Sequence, residues 1–281
     1  NLNFTIKIIS PKIEIKRFFE DENPEKIISE IVQLSKPNSI EKTIFIFPEG
    51  ALTSVYLEDL RNYSYIFSEN YSDQHKIIMG INSANDNKIF NSMVVLDSSL
   101  NILEKYNKNK LVPFGEFLPF ENLLSKFGLK KITEGYKSYT SSNTRKIIKV
   151  DNLSILPLIC YEIIYSGDLS NNSEFDIILN ISEDGWFGNS IGPHQHFVHS
   201  LYRSIEEGKT LIRSSNNGTS AIIDPIQGVI NKIESTNTGV LSIQKTSKID
   251  KTIFSQYGNK IFFYFVVFYI SLIFILKRKD L

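Results

Sequence analysis

The chain has 281 residues, enough for one large α/β domain or two small ones. Lysine plus arginine and aspartate plus glutamate each number 31, so the formal charge is zero and no basic excess points to nucleic acid. A single cysteine excludes an internal disulfide framework and any paired-cysteine zinc or redox site.

Residues 3–9 read as a first strand, and residues 24–34 place Ile27, Ile28, Ile31, Val32 and Leu34 at helical spacing. Residues 43–47 are a short, mostly apolar strand running into Pro48, Glu49 and Gly50. A carboxylate there is held on a rigid element while the chain turns away; the alternative is a solvated turn glutamate. Residues 52–70 read as a helical crossover, followed by strands at 76–81 and 91–96 with a polar turn over 82–88. A strand at 102–106 leads into the loop 107–120, which carries two prolines, one glycine, three phenylalanines and one glutamate. That composition is foreign to an ordinary solvated connection.

A short helix is expected over 121–127, and the Ser/Thr-rich stretch 133–144 is expected to be mobile. Residues 146–150 and 153–159 pair as a hairpin around Asp151 and Asn152 and deliver Cys160. The break from an apolar run to polar residues after Cys160 marks a strand-to-helix turn at the rim of a sheet, where α/β folds bind ligands. The alternative is a small buried hydrophobe, the commoner fate of free cysteine. Residues 175–181 form another buried strand that opens into Ser182, Glu183, Asp184, Gly185, Trp186, Phe187 and Gly188. A helix over 195–209 and strands at 210–213 and 219–223 follow, the last two joined by Asn216, Asn217 and Gly218. This alternation of strands and helices argues for α/β architecture in one catalytic domain spanning 1–257.

Residues 258–281 differ in kind. The run 261–276, IFFYFVVFYISLIFIL, has no charge and precedes Lys277, Arg278 and Lys279. It rises about 24 Å, and extending it back to Gly258, with Lys260 snorkelling, approaches a hydrocarbon core of roughly 30 Å. A helix apolar all round reads as a membrane span, and the basic cluster places its end in the cytoplasm and residues 1–257 on the opposite face. The chain starts at Asn1 without a signal sequence, so it is expected to be part of a longer protein with membrane helices upstream.

Glu49, Lys108 and Cys160 thus stand at three separated strand ends or loops. A glutamate base, a lysine cation and a cysteine nucleophile make a coherent acyl-transfer set that needs no histidine. The four histidines are His75, His194, His196 and His199. The last three have metal-like spacing but no fourth ligand, so neither a metal nor a cofactor is expected. Trp186 and Phe187 read either as core aromatics or as a substrate wall.

Phe47-Pro48-Glu49, Tyr106-Asn107-Lys108 and Leu158-Ile159-Cys160-Tyr161-Glu162 resemble the Glu-Lys-Cys motifs of the carbon–nitrogen hydrolase (nitrilase) superfamily. Within it, YNKNKLVPFGEFLPF (106–120), NISEDGWFGNSIGPHQH (180–196), RSSNNGTSAIIDP (213–225) and the terminal span resemble the apolipoprotein N-acyltransferase family. The resemblance implies a four-layer αββα sandwich projecting from membrane helices on the periplasmic side of a bacterial inner membrane. It implies that Glu49 is the general base, Lys108 the oxyanion-stabilising cation and Cys160 the nucleophile that becomes a thioester. Glu116 and Glu162 match additional active-site carboxylates, and Tyr161 supplies a neighbouring amide. The implied partners are a phospholipid acyl donor and a diacylglyceryl-apolipoprotein acceptor, and a monomer is expected. The apolar loop with Phe114 and Phe117 is expected to guide acyl chains. Lys110, where the family commonly has histidine, competes with Lys108 for the cationic role. A soluble-substrate amidase and a catalytically inert membrane-tethered module are the two alternatives.

Overall fold

Isoleucine-rich strands that are apolar at consecutive positions must bury both faces, and stacking two such sheets between helices does this. The computed structural model describes residues 1–18, 23–120, 138–167, 169, 173–250 and 252–279. The helix expected over 121–127 and the first part of the 133–144 stretch lie outside them.

One sheet contains β1 (Thr5–Ser10), β2 (Thr43–Ile46), β3 (His75–Asn85), β4 (Lys88–Asp97), β5 (Ile102–Asn107) and β12 (Gly239–Ile243) in the order β12-β1-β2-β3-β4-β5. The second contains β6 (Ile148–Val150), β7 (Leu153–Ile159), β8 (Ile177–Glu183), β9 (Leu211–Asn216), β10 (Ser220–Asp224) and β11 (Gly228–Ile233) in the order β11-β10-β9-β8-β7-β6. In each sheet three central strands are parallel, β1-β2-β3 and β7-β8-β9, and antiparallel strands flank them. Alternate side chains then serve different layers. Ile44 and Ile46 of β2 meet Ile155 and Ile159 of β7 and Ile181 of β8 between the sheets. Phe45 and Phe47 point the other way, into a core shared with helices α1 (Pro24–Ser35) and α2 (Ser64–Asn70). Leu156 and Leu158 face helix α3 (Gly192–Glu207) through Phe197 and Leu201. The result is the four-layer αββα sandwich.

Local chemistry sets the boundaries. Helix α1 starts where Asn23 accepts a hydrogen bond from the Glu25 amide and Pro24 fills the first helical position. The polar stretch 82–88 is not a long turn: β3 and β4 run on to a hairpin at Asp86 and Asn87, both with positive φ. The crossover 52–70 is helical only over the 3-10 turn Leu60–Tyr63 and α2, because Leu57 gives its amide to the Asn82 carbonyl at the end of the sheet.

After β12 a short helix α4 (Ile253–Tyr257) leads into α5 (Lys260–Lys279). The window Lys260–Lys277 has a mean hydropathy of 2.0, and none of it is buried. Its root is clipped to the segment that follows Cys160. Gly258, at φ 54°, packs so closely on Gly167 that an added Cβ would lie 2.0 Å from the Gly167 carbonyl oxygen.

Candidate active site

The C-terminal ends of β2, β5, β7 and β8 open on one edge of the sandwich and carry Glu49, Lys108, Cys160 and Glu183–Asp184. Glu49 reaches its place because β3 has Gly80 beneath it; a Cβ there would lie 2.6 Å from the Glu49 Cα. Its Oε1 accepts from the Asn91 side chain at 2.7 Å and lies 3.4 Å from Lys108 Nζ. Its Oε2 accepts from the Glu183 amide at 2.9 Å.

Lys108 is buried and donates to Glu116 Oε1 at 2.8 Å. Burial works against its charge, but Glu116 and Glu49 outweigh that and hold the ammonium well above the usual lysine range. Asn91 also bonds Glu116 at 3.0 Å, so one amide spaces the two carboxylates around the cation. Glu116 is itself fixed by the Val112 amide at 2.9 Å. Lys110 is elsewhere, exposed with its Nζ 5.9 Å from the centre of the Tyr165 ring.

Cys160 takes φ 49°, a left-handed value rare outside glycine, at the junction of β7 with a 3-10 turn over Cys160–Ile164. Burial pushes its thiol well above the ordinary range, and the neighbouring Glu49 charge adds to this, while Lys108 and a hydrogen bond with Ser182 oppose it. At rest the sulfur is therefore a thiol that needs a base. Glu162 holds this turn rather than facing the sulfur. Its Oε2 accepts from the Ile159 amide at 2.8 Å. Its Oε1 accepts from Tyr106 at 2.7 Å and from the amides of Asn109 at 2.9 Å and Lys110 at 3.1 Å. One carboxylate thus ties the cysteine turn to the lysine loop. Tyr161 stacks edge-on against Tyr165 at 5.5 Å.

Beside the turn lies a polar network that sequence reasoning missed. Asp184 is buried and takes two bonds from Arg213, at 3.0 and 2.7 Å, and one from Ser182 at 2.9 Å. Burial opposes its charge, but Arg213 and His196 hold the carboxyl well below the usual carboxylate range. His196 bridges Asp184 at 2.8 Å and the Cys160 carbonyl at 3.2 Å. Glu183 is bound by the Gly185 amide at 2.7 Å and by Asn216 and Asn217 at 2.5 and 3.0 Å. Burial pushes its carboxyl up to about 8, with Glu49 adding to the effect. Asn216 and Asn217 were the available signal, since polar residues at the end of a buried strand are costly unless they hold something.

Trp186 and Phe187 form a half-exposed wall next to these groups, Trp186 against Phe18 at 5.0 Å and Phe187 against His196 at 5.4 Å. Phe114 is exposed, Phe117 half-buried, and the loop closes through the Phe114 amide donating to the Phe117 carbonyl. Among the described residues no group of three His, Cys, Asp or Glu side chains is placed to hold a metal ion.

The profile of the carbon–nitrogen hydrolase family matches residues 44–250, a stretch that includes Glu49, Lys108 and Cys160. The chain belongs to the carbon–nitrogen hydrolase family. This carbon–nitrogen hydrolase is 35% identical to the apolipoprotein N-acyltransferase of Rickettsia bellii, over 99% of its own length and 57% of that protein. It is 29% identical to the Rhizobium rhizogenes apolipoprotein N-acyltransferase, over 97% of its length and 53% of that protein. The chain therefore spans about half the length of these curated relatives. Among solved structures it superposes on a CN-hydrolase superfamily protein of Xanthomonas campestris with a TM-score of 0.60 at 14% identity, covering 87% of this chain and 90% of that one. A nitrilase-superfamily amidase of Nesterenkonia gives 0.60 at 11% identity, covering 87% and 91%.

Proposed function

We propose that this carbon–nitrogen hydrolase moves a fatty acyl chain from a phospholipid, through a Cys160 thioester, to the N-terminal amine of a diacylglyceryl-cysteine lipoprotein. Similarity to apolipoprotein N-acyltransferases that continues through α5 carries the choice of acyl transfer over hydrolysis of a small amide. In this reading α5 crosses the bacterial inner membrane, residues 1–257 lie on the periplasmic side and the basic end stays in the cytoplasm.

The chemistry follows from the neighbours of the thiol. Glu49 takes the Cys160 proton as the sulfur attacks the ester carbonyl and a C–S bond forms. The Lys108 ammonium and the Tyr161 amide stabilise the tetrahedral oxyanion. Collapse breaks the C–O bond, and Glu49 returns its proton to the departing lysophospholipid alkoxide. The lipoprotein amine then attacks the thioester, Glu49 takes a proton from nitrogen, and as the C–S bond breaks Glu49 passes that proton to the departing sulfur, which regenerates the thiol. Glu116 and Asn91 keep Lys108 charged and in place, and Glu162 sets the spacing of the two loops. Phe114, Phe117, Trp186 and Phe187 supply apolar contact for the acyl chain.

Incubation with phospholipid followed by mass spectrometry reads this directly. One acyl group is expected on the Cys160 peptide, discharged by a diacylglyceryl peptide with a free amine, and absent in Cys160→Ala. An acyl group that persists in Cys160→Ala, or none in the parent in membranes, overturns the proposal.

A further inference from the structure

A helix bordering water carries its charges on the solvent side. The outer face of α3 does not. Its exposed positions include Val198, Tyr202 and Ile205, with 40%, 54% and 51% of their surface accessible. The charges of the helix are spent inward: Arg203 donates to the carbonyls of Ile164 and Tyr165 and pairs with Glu206 at 2.6 Å. Glu207 accepts from Ser255 of α4. The same uncharged strip continues onto α4 through Ile253 and Tyr257, 72% and 49% exposed, and α4 runs into α5.

These elements share one anchor. The Gly258–Gly167 contact joins the root of α5 to the segment after the cysteine turn, and Arg203 fastens α3 to that segment's preceding carbonyls. Residues with an apolar body and a polar tip, such as Tyr202 and Tyr257, suit the boundary between lipid and water. We infer that the strip of Val198, Tyr202, Ile205, Ile253 and Tyr257 lies in the headgroup region of the bilayer that α5 crosses, so that the catalytic domain rests on the membrane along α3. This rests on reading α5 as a span. It deepens the proposed function by turning the α3 side of the cysteine turn towards the lipid.

Because Cys160 is the sole cysteine, Cys160→Ala gives a background for single probes in the full chain. Tyr202→Cys and Ile205→Cys, carrying an environment-sensitive fluorophore, are reconstituted in phosphatidylethanolamine–phosphatidylglycerol vesicles. Phe268→Cys serves as the span control and Ile226→Cys, in the turn after β10, as the water control. The expected result is severalfold stronger quenching by nitroxide-labelled lipid at 202 and 205 than at 226, with the reverse order for iodide. Iodide quenching at 202 and 205 equal to that at 226 overturns the inference while a lipid-quenched 268 keeps the span. Quenching by neither agent also overturns it, since protein then covers the face. A probe at 268 that lipid does not quench removes the span and this surface together.

Discussion

Glu162→Gln tests whether one buried carboxylate holds the site together without touching the chemistry. The carboxylate accepts four hydrogen bonds, from Tyr106, Asn109, Lys110 and Ile159, with Arg145 at 3.7 Å. Glutamine keeps one carbonyl oxygen and places an N–H group where the other oxygen stood. In its better orientation the oxygen still serves Tyr106, Asn109 and Lys110, and the Ile159 amide faces another donor. A buried donor left unpaired costs about 1–3 kcal/mol. The three retained bonds lose their charge assistance, which makes them roughly half as strong. Together these give a loss of about 3–5 kcal/mol, a large part of the ~5–15 kcal/mol typical of a domain. At roughly 2–4 °C per kcal/mol for a chain of this order of size, melting should fall by about 6–20 °C. Thioester formation should fall with it even well below the melting point, because the Ile159 amide lies next to Cys160. Thermal unfolding and acyl-adduct mass spectrometry on the same preparation read both effects. A shift below about 2 °C with an unchanged adduct rate would show that the clamp is dispensable.

Lys108→Met leaves Glu49 and Glu116 facing each other without their cation, which should cost about 3–5 kcal/mol and abolish the adduct; Lys110→Ala, removing an exposed lysine, should leave the adduct rate near the parent's. Glu183 binds its proton more tightly folded than unfolded, because its carboxyl is raised from the ordinary 4.5 to about 8. Its contribution to stability is therefore complete below about pH 4.5 and lost as the pH rises through about 8, with a slope of at most about 1.4 kcal/mol per pH unit. Melting curves across this window should be flatter in Glu183→Gln than in the parent, and identical slopes would refute the assignment. Gly258→Ala forces a Cβ into the Gly167 carbonyl at a positive φ, so it should loosen the root of α5 and expose residues 252–260 to protease; an unchanged digestion pattern would show that the clip is not needed.

The strand ends were legible because parallel strands buried on both faces leave strong apolar runs, such as residues 43–47 and 153–159, which break off at Pro48-Glu49 and at Cys160. The edge strands β11 and β12 escaped notice: exposed positions make Gly228–Ile233 and Gly239–Ile243 too mixed to stand out. Glu183 read as loop because it is charged, yet it closes β8, paired opposite Asn216 of β9. The choice between Lys108 and Lys110 has no local signal, since both sit in one Asn-Lys run; burial between Glu49 and Glu116 separates them. Asn91 and His196 were hidden for a related reason. Each acts on groups more than thirty residues away, Asn91 on Glu49 and His196 on Cys160, and only strand pairing within the first sheet and the packing of α3 on the second bring them there.

Glu49 and Lys108 ride on one sheet, Cys160 and Glu183 on the other. The groups of the proposed site are therefore divided across the plane between the sheets, which is fastened by interlocking isoleucines and, at its rim, by bonds that include Glu183 to Glu49 and Tyr106, Asn109 and Lys110 to Glu162. Trimming Ile159 or Ile181 to valine removes one methylene and costs only about 0.5–1.5 kcal/mol. Yet a misplacement of about 1 Å between nucleophile and base can slow a reaction on the order of a hundredfold. The seam thus behaves like the bearing of a vise: wear there spoils the grip of the jaws long before the frame comes apart.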